Sequence, residues 1–139
     1  GIYEYFVNLY NHHFENKNLK ILEKIKKINN LISTHEEEIA NPILKYLNER
    51  KDFHLIGKNK ITNKDRAPTI SFYSKKKSSK EISDKLLQYK IATRNDNFYA
   101  WRCLQHLGID TEDGVVRLSM THYNNIEDTE NVINALEKI

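Results

Sequence analysis

The spacing of apolar residues changes period several times along the chain, and each change marks an element. Residues 2–14 are rich in aromatics, with Tyr3, Phe6 and Tyr10 on one helical face. They predict a short helix that packs on another element, broken by the polar run 15–18. From Leu19 the period is helical: Leu19, Leu22, Ile25, Ile28 and Ile32 form a stripe that Ile39, Ile43 and Leu47 continue. Pro42 interrupts it. Proline removes a backbone donor and crowds the Glu38 carbonyl, so the pattern predicts either a kink or two helices, the second capped by Asn41.

After Arg50 the period shortens. Phe53 and Leu55 before Gly57 predict a short strand and a turn, and 58–66 reads as a polar loop. Residues 68–74 alternate, with Ile70 and Phe72 on one side and Thr69, Ser71 and Tyr73 on the other. This is a half-buried strand that tolerates Pro68 at its start. Ser78 and Glu81 have capping-box spacing before a helix carrying Ile82, Leu86 and Tyr89. Residues 91–94 read as a brief extended piece. Asn97 is placed to cap a helix through Leu107, and Gly108 to stop it in the left-handed conformation. Residues 115–122 form another strand. Asn125 caps a last helix, with Glu127 and Asp128 in its first turn and Ile126, Val132, Ile133, Leu136 and Ile139 on its apolar side. The expected fold is two-layer α+β: a small, mostly antiparallel sheet covered on one face by helices and preceded by a long N-terminal helix.

Composition narrows the function. The chain has 139 residues, 39% hydrophobic and 29% charged, which suits one soluble domain. No apolar run is long enough for a membrane span. With one cysteine, Cys103, there is no internal disulfide and no cysteine zinc cage. The net charge of +3 accompanies 17 Lys, 16 Asn and 16 Ile, a bias that AT-rich coding produces by itself. Apart from the run 75–77, the lysines are scattered among acids, so no nucleic-acid partner is expected. The chain opens on Gly1 and its one methionine is Met120, as expected of a piece cut from a larger protein.

One residue stands out chemically. On the strand 115–121, Val116, Leu118 and Met120 face the helices, while Val115, Arg117, Ser119 and Thr121 face away. An arginine in mid-strand needs water or an anion, so Arg117 is either a surface residue or a guanidinium fork for a carboxylate or phosphate. Arg94, on another extended piece, could join it. The histidines lack metal-site spacing, and no metal is expected. Cys103 reads as an indifferent thiol, because its sequence neighbour Arg102 points elsewhere on a helix.

The order of RAPTISF (66–72), a helix, IATRNDNFYA (91–100) and GVVRLSMTHYNNIEDTENVINALEKI (114–139) resembles the C-terminal small domain of class V aminotransferases. The nearest likeness is to the cysteine desulfurase-like branch of the fold-type I pyridoxal-phosphate enzymes. HEEEIANPILKYLNER (35–50) is similar to the long helix leading into that domain. The resemblance implies that Arg117 grips the α-carboxylate of an amino-acid substrate and that Arg94 lines the same site. It implies pyridoxal phosphate as cofactor of the full-length protein, held through a Schiff-base lysine in an upstream large domain. None of the lysines here is that residue, and the fragment alone is expected to be inactive. Residues 1–18 are then a lead-in from the missing domain and 19–139 the small domain. The full-length protein would be a cytoplasmic homodimer whose partners are its amino-acid substrate and its own large domain. In the same register Tyr99 occupies the place of the persulfide-forming cysteine, and Cys103 lies four residues later. Desulfurase, aminotransferase, lyase and epimerase chemistry all stay open. A stand-alone, non-catalytic interaction module is the alternative from another class.

Overall fold

The computed structural model describes residues 1–62 and 65–139; Asn63 and Lys64, within the expected polar loop, lie outside them. The described elements follow in chain order: α1 (Ile2–His13), α2 (Ile21–Glu49), β1 (Phe53–Ile56), β2 (Thr69–Ser74), α3 (Ser79–Gln88), β3 (Arg94–Asp96), α4 (Trp101–His106), β4 (Val115–Ser119) and α5 (Ile126–Glu137). The four strands make one sheet in the order β1-β2-β4-β3, and every adjacent pair is antiparallel. From its inner face Ile70, Phe72, Val116 and Leu118 meet Ile43, Leu44 and Leu47 of α2, Ile82 and Leu86 of α3, and Val132 and Leu136 of α5. The architecture is the expected α+β one. The outer face carries a smaller cluster at one end, where Leu104, Ile109 and Val115 are buried together with parts of Ile56, Tyr73 and Phe98.

The long helix runs through Pro42 without a break, 29 residues and so roughly 44 Å. A proline inside a helix costs about 3 kcal/mol. Here Ile39, Ala40, Ile43 and Leu44 around it are all buried, and each large aliphatic side chain returns about 1.5–3 kcal/mol. Asn41 is not a cap. Its side-chain amide donates to the Ile61 carbonyl at 3.1 Å, and its side-chain oxygen accepts the Ile61 N–H at 2.8 Å. On the other side the buried Thr129 hydroxyl of α5 donates to the Ile39 carbonyl at 2.7 Å. Packing and polar ties around Pro42 therefore keep one helix where the sequence also allowed two.

Other departures have local causes. Leu19 precedes α2, and Leu22 is 68% exposed, because α1 is a single short helix that covers one stripe of this end. In α5, Ile126 stays exposed at the first turn, and Thr129 takes its place inside. The strand expected at 91–94 begins at Arg94 instead. The end of α3 explains this: Lys90 adopts φ 62°, its N–H bonds Leu87 O, and Ile91 N–H reaches back to Leu86 O. This double closure uses the residues that would have been extended. β4 ends at Ser119 rather than His122, because Asn124 turns the chain by accepting the Thr121 N–H at 2.9 Å. Ser78 and Asn125 cap α3 and α5 as expected, and Gly108 is left-handed at φ 69°.

Two stability measurements check this account. Asn41→Ala leaves both backbone groups of Ile61 without partners, and it should cost about 2–3 kcal/mol in urea unfolding. The second concerns Arg50, which grips Asp52 with two bonds of 2.8 and 2.6 Å and holds its carboxyl down to about 2. Since the unfolded value is about 3.9, the pair stabilises the fold above that pH and loses its effect as pH falls toward the folded value. The pair is about one-third exposed, so Asp52→Asn should cost on the order of 1 kcal/mol at pH 7. The gap from wild type should close progressively between pH 5 and 2.

Candidate functional site

The strand register places one row of residues across the outer face: Ile56 opposite Ser71, Ser71 opposite Arg117, and Arg117 opposite Arg94. The two arginines anticipated from sequence are thus direct cross-strand neighbours. Like charges so placed repel. Among the described residues neither arginine has an ion pair; the acid nearest in sequence, Asp96, accepts the N–H of Asn97 at 2.7 Å. Arg94 is exposed and Arg117 half-buried. What meets the Arg117 charge is a ring: its guanidinium carbon lies 4.1 Å from the centroid of Phe98.

Phe98 reaches that position from a tight loop. Phe98 and Tyr99 both adopt positive φ, 52° and 60°. Asn97 braces them rather than capping α4, whose helical residues begin only at Trp101. The Asn97 side chain accepts the Tyr99 N–H at 3.0 Å and donates to Thr111 O at 3.2 Å, and its carbonyl accepts the Ala100 N–H at 2.8 Å. The loop aims Tyr99 into solvent, 99% exposed. Cys103 is one turn into α4 and exposed, while its neighbour Leu104 is buried against Val115 and Ile109. Gly114 closes the arrangement. It has φ 66°, and a Cβ there would lie 2.3 Å from the carbonyl carbon of Asp96. Phe98, Asn97 and Gly114 were not legible as site residues. The only trace was an asparagine immediately ahead of an aromatic pair.

The histidines turn out to tie elements together. His35 Nε2–H of α2 donates to the Asn124 carbonyl at 2.7 Å, and His122 hydrogen-bonds the Tyr5 hydroxyl of α1. Glu36 sits beside them, its carboxyl raised by burial while the two imidazoles pull it down. The His-Tyr-Asn sequence at 122–124 is therefore a joint between α1, α2 and the start of α5.

The class V aminotransferase family model matches residues 15–132, and the chain belongs to that family. Its members are pyridoxal-phosphate enzymes. The aminotransferase-like protein FGM3 of Gibberella zeae is 28% identical over 118 residues, 84% of this chain and 29% of that protein. The cysteine desulfurase CsdA from Escherichia coli superposes with a TM-score of 0.64 at 19% identity, over 87% of this chain and 26% of that one. The apo cysteine desulfurase from Thermococcus onnurineus gives 0.67 at 23% identity, over 85% of this chain and 29% of that one. At such identities the two structures share the fold with this chain. The chain spans less than a third of the length of each of these relatives.

No strand residue on the Arg117 face is a lysine. Several of the N–H groups that open α3 and α5 are already engaged. Ser79 N–H donates to the Asp113 carboxylate at 2.9 Å, Glu81 N–H to Ser78, and Asp128 N–H to Asn125. A guanidinium group presents a planar fork whose shape matches a carboxylate or phosphate.

Gly114→Ala tests the close approach on which the site depends. It should destabilise by at least about 2 kcal/mol, from backbone strain and the clash with Asp96. Backbone NMR shifts should move at residues 94–99 more than in α2.

Proposed function

We propose that this chain is the C-terminal small domain of a pyridoxal-phosphate enzyme acting on an amino acid, and that Arg117, aided by Arg94, grips the substrate's α-carboxylate. The observation that carries the reading is the pair of cross-strand arginines, neither ion-paired among the described residues, on the sheet face opposite α2, α3 and α5. Two adjacent cations cost the fold until an anion joins them, and a carboxylate answers an arginine fork with two parallel hydrogen bonds. Such a grip fixes the substrate's orientation, and orientation is what a carboxylate clamp contributes to rate.

Pyridoxal phosphate supplies an electron sink when bound. We assign the cofactor and its lysine to a large domain upstream, as in the family the chain belongs to. Residues 1–18 then lead in from it, and 19–139 form the small domain. Exposed Ile2, Tyr3, Tyr5 and Leu22 support a covering neighbour at that end. The full-length protein is taken to be a cytoplasmic homodimer. Tyr99 at the place of a persulfide carrier argues against sulfur transfer, since a phenol cannot form a persulfide. Transfer, elimination or epimerisation at Cα fits better.

Kinetics of the full-length protein decide the matter. Each charged hydrogen bond is worth roughly 1.5–3 kcal/mol, so Arg117→Ala should lower kcat/KM by roughly 30- to 1000-fold. Arg117→Lys should recover little, because an ammonium cannot form the fork. Melting temperatures should change much less. Near-normal kcat/KM in Arg117→Ala would overturn the assignment.

A further inference from the structure

We infer that Phe98 is a positioning residue for Arg117, an inference that rests on the carboxylate reading above. Its ring holds the guanidinium in place on the open face of the sheet before any ligand arrives. An arginine side chain has many rotamers, and a grip formed from a wandering fork loses affinity to the entropy of ordering it. Something must hold it. The common solution is a carboxylate partner, which takes two of the five guanidinium donors and neutralises the charge. The ligand would then have to displace that partner. An aromatic ring within about 6 Å holds a cation electrostatically and consumes none of its donors. At 4.1 Å, Phe98 is well inside that range, and among the described residues Arg117 has no side-chain hydrogen bond or ion pair to compete with it.

The backbone shows that this placement is not incidental. Two consecutive non-glycine residues with positive φ persist only when the surroundings over-determine them. Here Asn97 braces the loop from within, the Gly114 backbone presses against Asp96, and α4 is anchored through Leu104. A loop that merely joined β3 to α4 would be less strained with glycine or asparagine at 98 and 99. The strained one turns the Phe98 ring to Arg117. Phe98 also packs against the cluster of Leu104, Ile109 and Val115, which gives the competing explanation: Phe98 as a simple apolar plug. Leucine would serve as a plug. Only an aromatic face serves as a cation platform.

Three variants separate these roles: Phe98→Leu, Phe98→Tyr and Arg117→Ala. In NMR of this chain, ring current should move the Arg117 side-chain protons upfield. Phe98→Leu should return them to ordinary values, and Phe98→Tyr should keep them shifted. In the full-length enzyme Phe98→Leu should raise KM for the amino acid roughly 3- to 10-fold with kcat nearly unchanged, and Phe98→Tyr should restore it. Ordinary Arg117 shifts in the wild-type chain would overturn the inference, and they decide the question even if Phe98→Leu fails to fold. A wild-type KM in Phe98→Leu beside a large loss in Arg117→Ala would also overturn it and leave the carboxylate reading standing. An unaffected KM in Arg117→Ala would remove both.

Discussion

Arg117 occupies an inner strand, with β2 on one side and β3 on the other, so its charge cannot escape to a sheet edge. Burying half of a guanidinium is costly unless something answers it. Most proteins answer with a carboxylate. Here the answer is the ring of Phe98, and much of the local structure follows from bringing it there. The ring comes from a loop that leaves β3 and turns back within two residues, which forces positive φ at 98 and 99. That turn brings the Asp96 carbonyl against residue 114, where only glycine fits. The loop stays in place because α4 is pinned by Leu104 to the same outer face. The strain, the glycine and the small second cluster are linked parts of one arrangement around a single cation.

The opposite face of the sheet supplies the rigidity this arrangement needs. There α2, α3 and α5 bury a continuous aliphatic layer, and the residues of α2 that flank its proline, Ala40, Ile43 and Leu44, belong to it. A kinked or divided helix would shift either α5 or the loop at Ile61, since Thr129 and Asn41 tie both to the same helical turn. The continuity of the helix through Pro42 is therefore supported from two sides. The N-terminal end of α2 lacks this support, and its apolar positions are correspondingly exposed. The mismatch between periodicity and burial at Leu22 has the same origin: a stripe states which residues share a face, not whether a partner covers it.

Much of the fold was readable in the chain. Alternation at 69–74 and 115–119 placed the two central strands, and Ser78, Asn125 and Gly108 marked helix ends through interactions confined to a few residues. The weak strand β3 was misplaced because helix closure at Lys90 and Ile91 competes with extension, and that competition is settled by backbone bonds no residue type announces. Asn41 and Asn97 were both read as caps. Each turned out to bond backbone atoms brought near by the fold: Ile61 for one, Thr111 and its own loop for the other. Arg117 was visible as a charge inside an alternating strand. Its pairing with Arg94 needed the register, and its contact with Phe98 needed the left-handed loop, neither of which local sequence encodes.

The likeness to aminotransferases and desulfurases fixes less chemistry than it does architecture. A clamp on the α-carboxylate orients Cα, but it does not choose which bond of Cα breaks or where the proton returns. Those choices belong to acids, bases and cofactor contacts, and the loop and helix after β3 carry an exposed tyrosine at 99 and an exposed thiol in the first turn of α4. A phenol at the loop tip can donate or accept a hydrogen bond, whereas a persulfide carrier must be a thiolate that attacks sulfur. On the proposed reading the domain recognises what amino acids share, their carboxylate, and the reaction would be specified by the part of the protein that meets the open face of the sheet.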